Sequence, residues 1–135
     1  MSGKSDSNGT AQPPAAARAP NLLIIAPAPG KADGDRLILD KKFVEGMRFY
    51  AAAWPGRTAC LLQEPRRDAL FLDSYDPAAL PFAVDLRPAG HHVSSADLAG
   101  HDVIMCSGDN QEHLHVAALG RQAGKAVYFT IENIA

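Results

Sequence analysis

Cysteine occurs only twice in the 135 residues, too few for the disulfide framework of a small secreted domain. Cys60 and Cys106 both sit inside apolar runs, TACLL and VIMCSG, which suits two buried free thiols in a reducing cytoplasm. No apolar run approaches the roughly 20 residues that a membrane span requires. Basic charge is not in excess: 13 Lys and Arg against 15 Asp and Glu give a net charge of −2, so nucleic acid is not an expected partner. The first 20 residues lack the apolar segment of a secretory signal. Their Ser, Gly, Pro and Ala content predicts a disordered head over residues 1–20, leaving one domain over 21–135. Internal repeats are absent, and a cytoplasmic location follows from these exclusions.

What is present is an alternation of two periods. Leu22 to Ala26 form a continuous apolar run, the mark of a strand buried on both faces. PAPGKADGD follows, and its Pro and Gly content predicts a loop. From Arg36 to Trp54 the apolar residues Leu39, Phe43, Met47, Tyr50 and Trp54 recur at helical spacing, with Asp35 as N-cap and WPG as the stop. Thr58 to Gln63 read as a second strand, FAVDL as a third, DVIMCS as a fourth and AVYFTI as a fifth. Between them, EPRRDALFLDSYDPAAL fits one short helix and a turn at Asp76 and Pro77, and SSADLAG fits one helical turn. Gln111 to Gln122 read as a helix with Leu114, Ala117, Ala118 and Arg121 along one face and Gly124 as its cap. The expected fold is α/β: a Rossmann-like, doubly wound parallel sheet of about five strands in the order 3-2-1-4-5.

In such sheets ligands bind beyond the carboxyl ends of the strands, where the winding reverses. The first loop there carries neither GxGxxG nor GxxxxGK[ST], so dinucleotide-binding and phosphate-cradling readings lose their support. The acidic residues of a receiver domain and the Ser/Thr-rich loop of a flavodoxin are missing too. Gly30 and Gly34 would let a ligand approach the backbone, with Asp35 and Arg36 beside them. The fourth-strand loop, SGDNQEHLH, is the most polar stretch and offers Ser107, Asp109 and Asn110 as ligand contacts. Asp109 with Glu112 three residues on also reads as an acidic capping box. Asp109 and His113 are the catalytic candidates, a histidine being suited to general-base work near neutral pH. His113 and His115 lie roughly 200° apart on a helix and cannot face one metal together, so no metal and no cofactor are expected. AGHHV, with His91 and His92, reads as a surface turn, and Glu132 follows the fifth strand at the same sheet edge.

LIIAPAPGKADGDRLILDKKFVEGMRFYAAAWPGRTACLL, DVIMCSGDNQEHL and AVYFTIEN together resemble the start of a glycosyltransferase of the retaining, nucleotide-sugar-using family 4 type, over roughly residues 22 to 133. Such enzymes pair two Rossmann-like domains across a cleft, the GT-B arrangement, with the acceptor on the N-terminal domain and the nucleotide sugar on the C-terminal one. The resemblance implies an incomplete, truncated N-terminal domain, inactive alone, with Gly30 and Gly34 near the sugar diphosphate and the fourth-strand loop near the transferring sugar. Sugar nucleotide and acceptor would be partners only once a C-terminal domain completes the cleft. Peripheral membrane contact and association through an exposed fifth strand are further partner readings. In many relatives a histidine ends strand four; here Ser107-Gly108-Asp109 stand there. The competing expectation is a self-contained, non-catalytic Rossmann-like or flavodoxin-like module that binds a small ligand or a protein.

Overall fold

The structure, a computed structural model, describes residues 19–65, 72–107 and 111–130. Seven strands form one mixed sheet: β1 (Leu22–Asp33), β2 (Arg36–Asp40), β3 (Thr58–Gln63), β4 (Leu72–Tyr75), β5 (Ala83–Arg87), β6 (Val103–Ser107) and β7 (Ala126–Thr130). Three α-helices accompany them: α1 (Lys41–Ala53), α2 (Ser95–Leu98) and α3 (Gln111–Gln122), with a 3-10 turn at Pro77–Ala79.

Five of the strands are parallel neighbours in the order β5-β3-β1-β6-β7. That is the expected order of the five apolar runs, yet the sheet is not a simple five-stranded one. β1 continues through the expected loop as far as Asp33 and turns back antiparallel into β2, which pairs antiparallel with β4. The Pro and Gly content of PAPGKADGD therefore misleads, for a physical reason. β1 changes partners along its length, and its register slips between Ile25 and Pro29. Pro27 falls in that slip, where a missing N–H costs no ladder bond. Gly34 at the hairpin tip takes a φ of +62°, which glycine adopts readily.

The hairpin also corrects the start of α1. Leu37 and Leu39 alternate inward as strand residues, and the cap is Asp40 instead of Asp35: Asp40 Oδ1 accepts from the Phe43 N–H at 2.9 Å. The LDSY stretch, expected within a helix and turn, forms strand β4, while residues 66–71 of that segment lie outside the described residues.

Two apolar layers sandwich the sheet. Leu22, Ile24, Cys60 and Leu62 pack with Val44 and Met47 of α1 on one face. Leu23, Ile25, Leu61, Ile104 and Cys106 pack with Leu98 of α2 and Val116 of α3 on the other. Consecutive residues pointing into opposite cores is what a solid apolar run requires. The buried face of α3 is His113, Val116, Ala117 and Gly120; of the face expected from Leu114, Ala117, Ala118 and Arg121 only Ala117 is buried, and Leu114 is 57% exposed. No helix among the described residues is long and apolar enough to cross a membrane.

Both cysteines are free and buried, as expected. Burial, with a smaller push from nearby Asp85, raises the Cys60 thiol to about 12, and burial raises Cys106 as well. The thiolate is the reactive form, so neither thiol should react with an aromatic disulfide reagent in native protein, and both should react in urea. Rapid labelling of native Cys60 would contradict its placement in the core.

Candidate functional site

Where the parallel strands end, four segments converge. The end of the parallel part of β1 supplies Ile25, Ala26 and Pro27; β3 supplies Leu61 and Gln63. The stretch before α2 supplies Gly90, His91, His92 and Val93, and the first turn of α3 supplies Glu112 and His113. Together they line an open cleft of about 390 Å³. A cavity of the same volume lies at the amino ends of the strands, lined in part by Asn21, Arg57, Asp85 and His101. Ligands of open α/β sheets bind at the carboxyl ends, which favours the first.

The cleft wall is built by side chains reaching across the chain. Gln63 donates its Nε2–H to the His91 carbonyl at 2.8 Å, and its Oε1 accepts from the Gly90 N–H at 3.0 Å. That amide clamp fixes the loop carrying both histidines. His91 Nε2 lies 2.8 Å from Asp97 Oδ2, and Arg87 Nε donates to Asp97 Oδ1 at 3.0 Å. The Ser94 N–H donates to the same carboxylate at 2.8 Å. Burial acts to raise the Asp97 pKa, but the bonds from Ser94, His91 and Arg87 outweigh it and hold the group at about 2.

Asp97 should therefore govern acid stability. Its folded pKa is depressed, so its contribution is present above the ordinary value near 3.8 and is lost as pH falls towards about 2. Asp97→Asn is expected to cost about 1–3 kcal/mol at neutral pH and to flatten the fall of stability in that window. Urea unfolding across the acid range checks this. Parallel acid profiles for the two proteins would remove Asp97 from the account.

Beside the cleft, His92, Glu112 and His115 meet. His92 Nδ1 is 3.0 Å from Glu112 Oε1, and the His92 and His115 rings stack with centroids 4.1 Å apart. His115 Nε2 is 3.0 Å from the Val93 carbonyl and Glu112 Oε1 accepts from the Val93 N–H at 3.4 Å, so both groups on α3 are tied to the facing loop. The ligating atoms of the three side chains all lie within 4.8 Å of one another, a donor set able to hold a metal ion.

The residues expected at the site divide sharply. His113 lines the cleft and is 4% exposed. Gly30 does not: it lies within β1, paired with Leu39, and a Cβ there would stand 3.0–3.1 Å from methyl groups of Leu62, Leu39 and Leu86. Its smallness serves the core. Gly34 and Asp35 form the exposed hairpin tip. Arg36 bonds to Ser74, its Nε donating to Oγ at 2.6 Å, and so joins β2 to β4 away from the cleft. Ser107 ends β6, while Asp109, Asn110 and Glu132 lie outside the described residues.

His91 and His92 are cleft residues instead of a plain surface turn, and His115 is half-buried and hydrogen-bonded. His113 and His115 do part as their spacing requires, but His115 finds its neighbours on a loop more than twenty residues away. The missed signal was the pair of polar clusters, GHH and EHLH, each just past a predicted strand. No protein-family model, curated protein or solved structure matches this chain.

Proposed function

We propose that this chain is a Rossmann-like, doubly wound domain that binds a small hydroxyl-rich ligand, a sugar or glycoside, in the cleft beyond β1 and β3. The observation that carries the reading is the cleft's composition: Ile25, Pro27, Leu61 and Val93 give it apolar surface, and Gln63, His91, His92, Glu112 and His113 give it polar groups. A pyranose has that same division, with C–H groups on its faces and hydroxyls around its edge. Pockets that bind small molecules combine mostly apolar walls with a few placed polar groups. A carboxylate only accepts hydrogen bonds, which suits Glu112 to hydroxyl donors.

The wider role that fits is the acceptor side of a nucleotide-sugar-dependent glycosyltransferase of the GT-B kind. The parallel order β5-β3-β1-β6-β7 and the helices on both faces support that reading. The chain alone should then bind an acceptor without turning over a sugar nucleotide. Two buried thiols favour a cytoplasmic setting. Exposed Tyr128 and Phe129 on β7, which pairs only with β6 among the described residues, make that strand the natural association edge.

Calorimetric titration with methyl glycosides of glucose, mannose and galactose, in chelator-treated buffer, tests the binding claim. At least one should bind the wild type and fail to bind Pro27→Trp, whose indole would fill the cleft from an exposed position. Silence from the whole panel, or equal binding by the blocked variant, would defeat the proposal.

A further inference from the structure

The geometry points to a metal site at the rim of the cleft, formed by His92, Glu112 and His115 and suited to Zn²⁺ or a neighbouring divalent ion such as Co²⁺. This goes beyond sugar binding and does not depend on it.

Two imidazoles and a carboxylate are a common protein donor set for zinc, and three protein ligands leave a fourth position for water or a ligand. Glu112 and His115 stand three residues apart on α3, a spacing that places both on one face of a helix. The Glu-x-x-His pairing on a single helix is a recurrent way of presenting both groups to a metal. His92 arrives from the opposite wall, where buried Val93 anchors the loop at 1% exposure.

The surroundings prepare these atoms for coordination. A backbone carbonyl can only accept, so the Val93 oxygen fixes the proton of His115 on Nε2. The lone pair of that ring is then on Nδ1. A metal-bound histidine ordinarily has its other ring nitrogen hydrogen-bonded in this way, often to a backbone carbonyl. The Val93 N–H holds Glu112 Oε1 from the same residue, so one stretch of backbone orients two of the three ligands.

Spacing and charge also bear on the site. Ligand atoms in a tetrahedral zinc site lie about 3.3 Å apart, given metal–ligand distances of about 2.0 Å. The His92–Glu112 separation of 3.0 Å already falls near that value. The widest separation of the three is within 4.8 Å, so it has to close by no more than about 1.5 Å. A metal lies in the plane of each imidazole bound to it, so the stacked rings must splay. His92 is the ring that turns, because its side chain is 68% exposed and its contacts are with the other two ligands. The positive end of the α3 dipole opposes a cation at this place, and the Glu112 carboxylate offsets it. His92 and Glu112 also line the cleft, so the open coordination position faces whatever the cleft holds.

The test is titration of the full chain, free of any affinity tag, with Co²⁺ and then Zn²⁺. One equivalent of Co²⁺ should give the intense visible absorption of a four-coordinate site, and Zn²⁺ should displace it. Zinc should also raise the thermal midpoint of the wild type by binding the folded state. In His92→Ala, whose parent side chain is exposed, and in Glu112→Gln, affinity should fall by about 100-fold or more, with loss of the visible band and of the thermal shift. The unliganded thermal midpoint of His92→Ala should match that of the wild type, which keeps the comparison independent of folding. Absence of a stoichiometric cobalt band in the wild type, or its survival in His92→Ala, would overturn the site. Glycoside binding in chelator is read separately, so either claim can fail alone.

Discussion

Leu61→Ala and Leu62→Ala are each expected to lower the free energy of unfolding by about 2–5 kcal/mol. The two residues are neighbours on β3, 3% and 0% exposed, and they point into different cores. In a sheet covered on one face only, one of the pair would face solvent and its truncation would cost almost nothing. Here Leu62 lies over Gly30 on the α1 side, and Leu61 packs on the side of α2 and α3. Urea unfolding of both variants, read from midpoint and slope together, decides the matter. A loss confined to one of them would contradict the two-layered core. The spread in the expected loss reflects how far each side can collapse into the vacated volume.

Gly56→Ala is the second large effect, with an expected loss of about 1–3 kcal/mol towards the upper end of that range. A Cβ at position 56 would stand 1.8 Å from the Pro20 carbonyl oxygen, and that obstacle is backbone, unable to swing aside as a side-chain tip could. Relief requires moving the segment that leads into β1. The same carbonyl accepts from Trp54 Nε1 at 2.7 Å, and Leu22 donates its N–H to Arg57 O at 2.8 Å. Displacement therefore strains both contacts together. Gly46→Ala provides the contrast: it lies on the exposed side of α1 with nothing within 4 Å of its added Cβ. It should stabilise by about 0.5–1 kcal/mol, because alanine is the better helix former. Equal effects at the two glycines would mean that the approach of Pro20 to Gly56 is not present in solution.

The parts of the fold legible in the sequence were those fixed by local composition. TACLLQ reads as a strand from Thr58 to Gln63 and is one, with those bounds, because five consecutive buried residues leave no amphipathic alternative. VIMCS and AVYFT are legible as runs of strand-forming residues, although β7 is largely exposed; the bounds of α3 follow from its polar start and from Gly124, whose φ of +74° ends it. The hairpin was not legible. Its prolines and glycines argue for a loop, and what permits a strand is the change of pairing partner along β1 and the space for Gly30 beneath three leucines. Both are facts about distant segments. Leu39 shows the ambiguity in one residue: its spacing from Phe43 suits a helix, its spacing from Leu37 suits a strand, and the Asp40 cap decides for the strand.

The candidate site was legible in position and only partly in membership. The rule that ligands gather at the carboxyl ends of parallel strands points to the end of the sheet where this cleft lies, and His113 lines it. The glycines nominated beside it serve packing and turning. The cleft's second wall depends on the Gln63 amide gripping the Gly90–His91 backbone across 27 and 28 residues of sequence. No local pattern announces such a clamp. The meeting of His92 with Glu112 and His115 is equally non-local, since it requires the loop after β5 to cross over the first turn of α3.

The central claim is that the cleft beyond β1 and β3 is where this chain receives a small hydroxyl-rich ligand. Backbone amide NMR shifts, followed as a binding methyl glycoside is added, test it most directly. The account predicts that the largest shifts fall together on Ile25, Ala26, Gln63, Gly90 to Val93, Glu112 and His113, with the hairpin tip at Gly34 and Asp35 unmoved. Shifts centred on the hairpin, or on Asn21, Thr58 and His101 at the opposite end of the sheet, would contradict it.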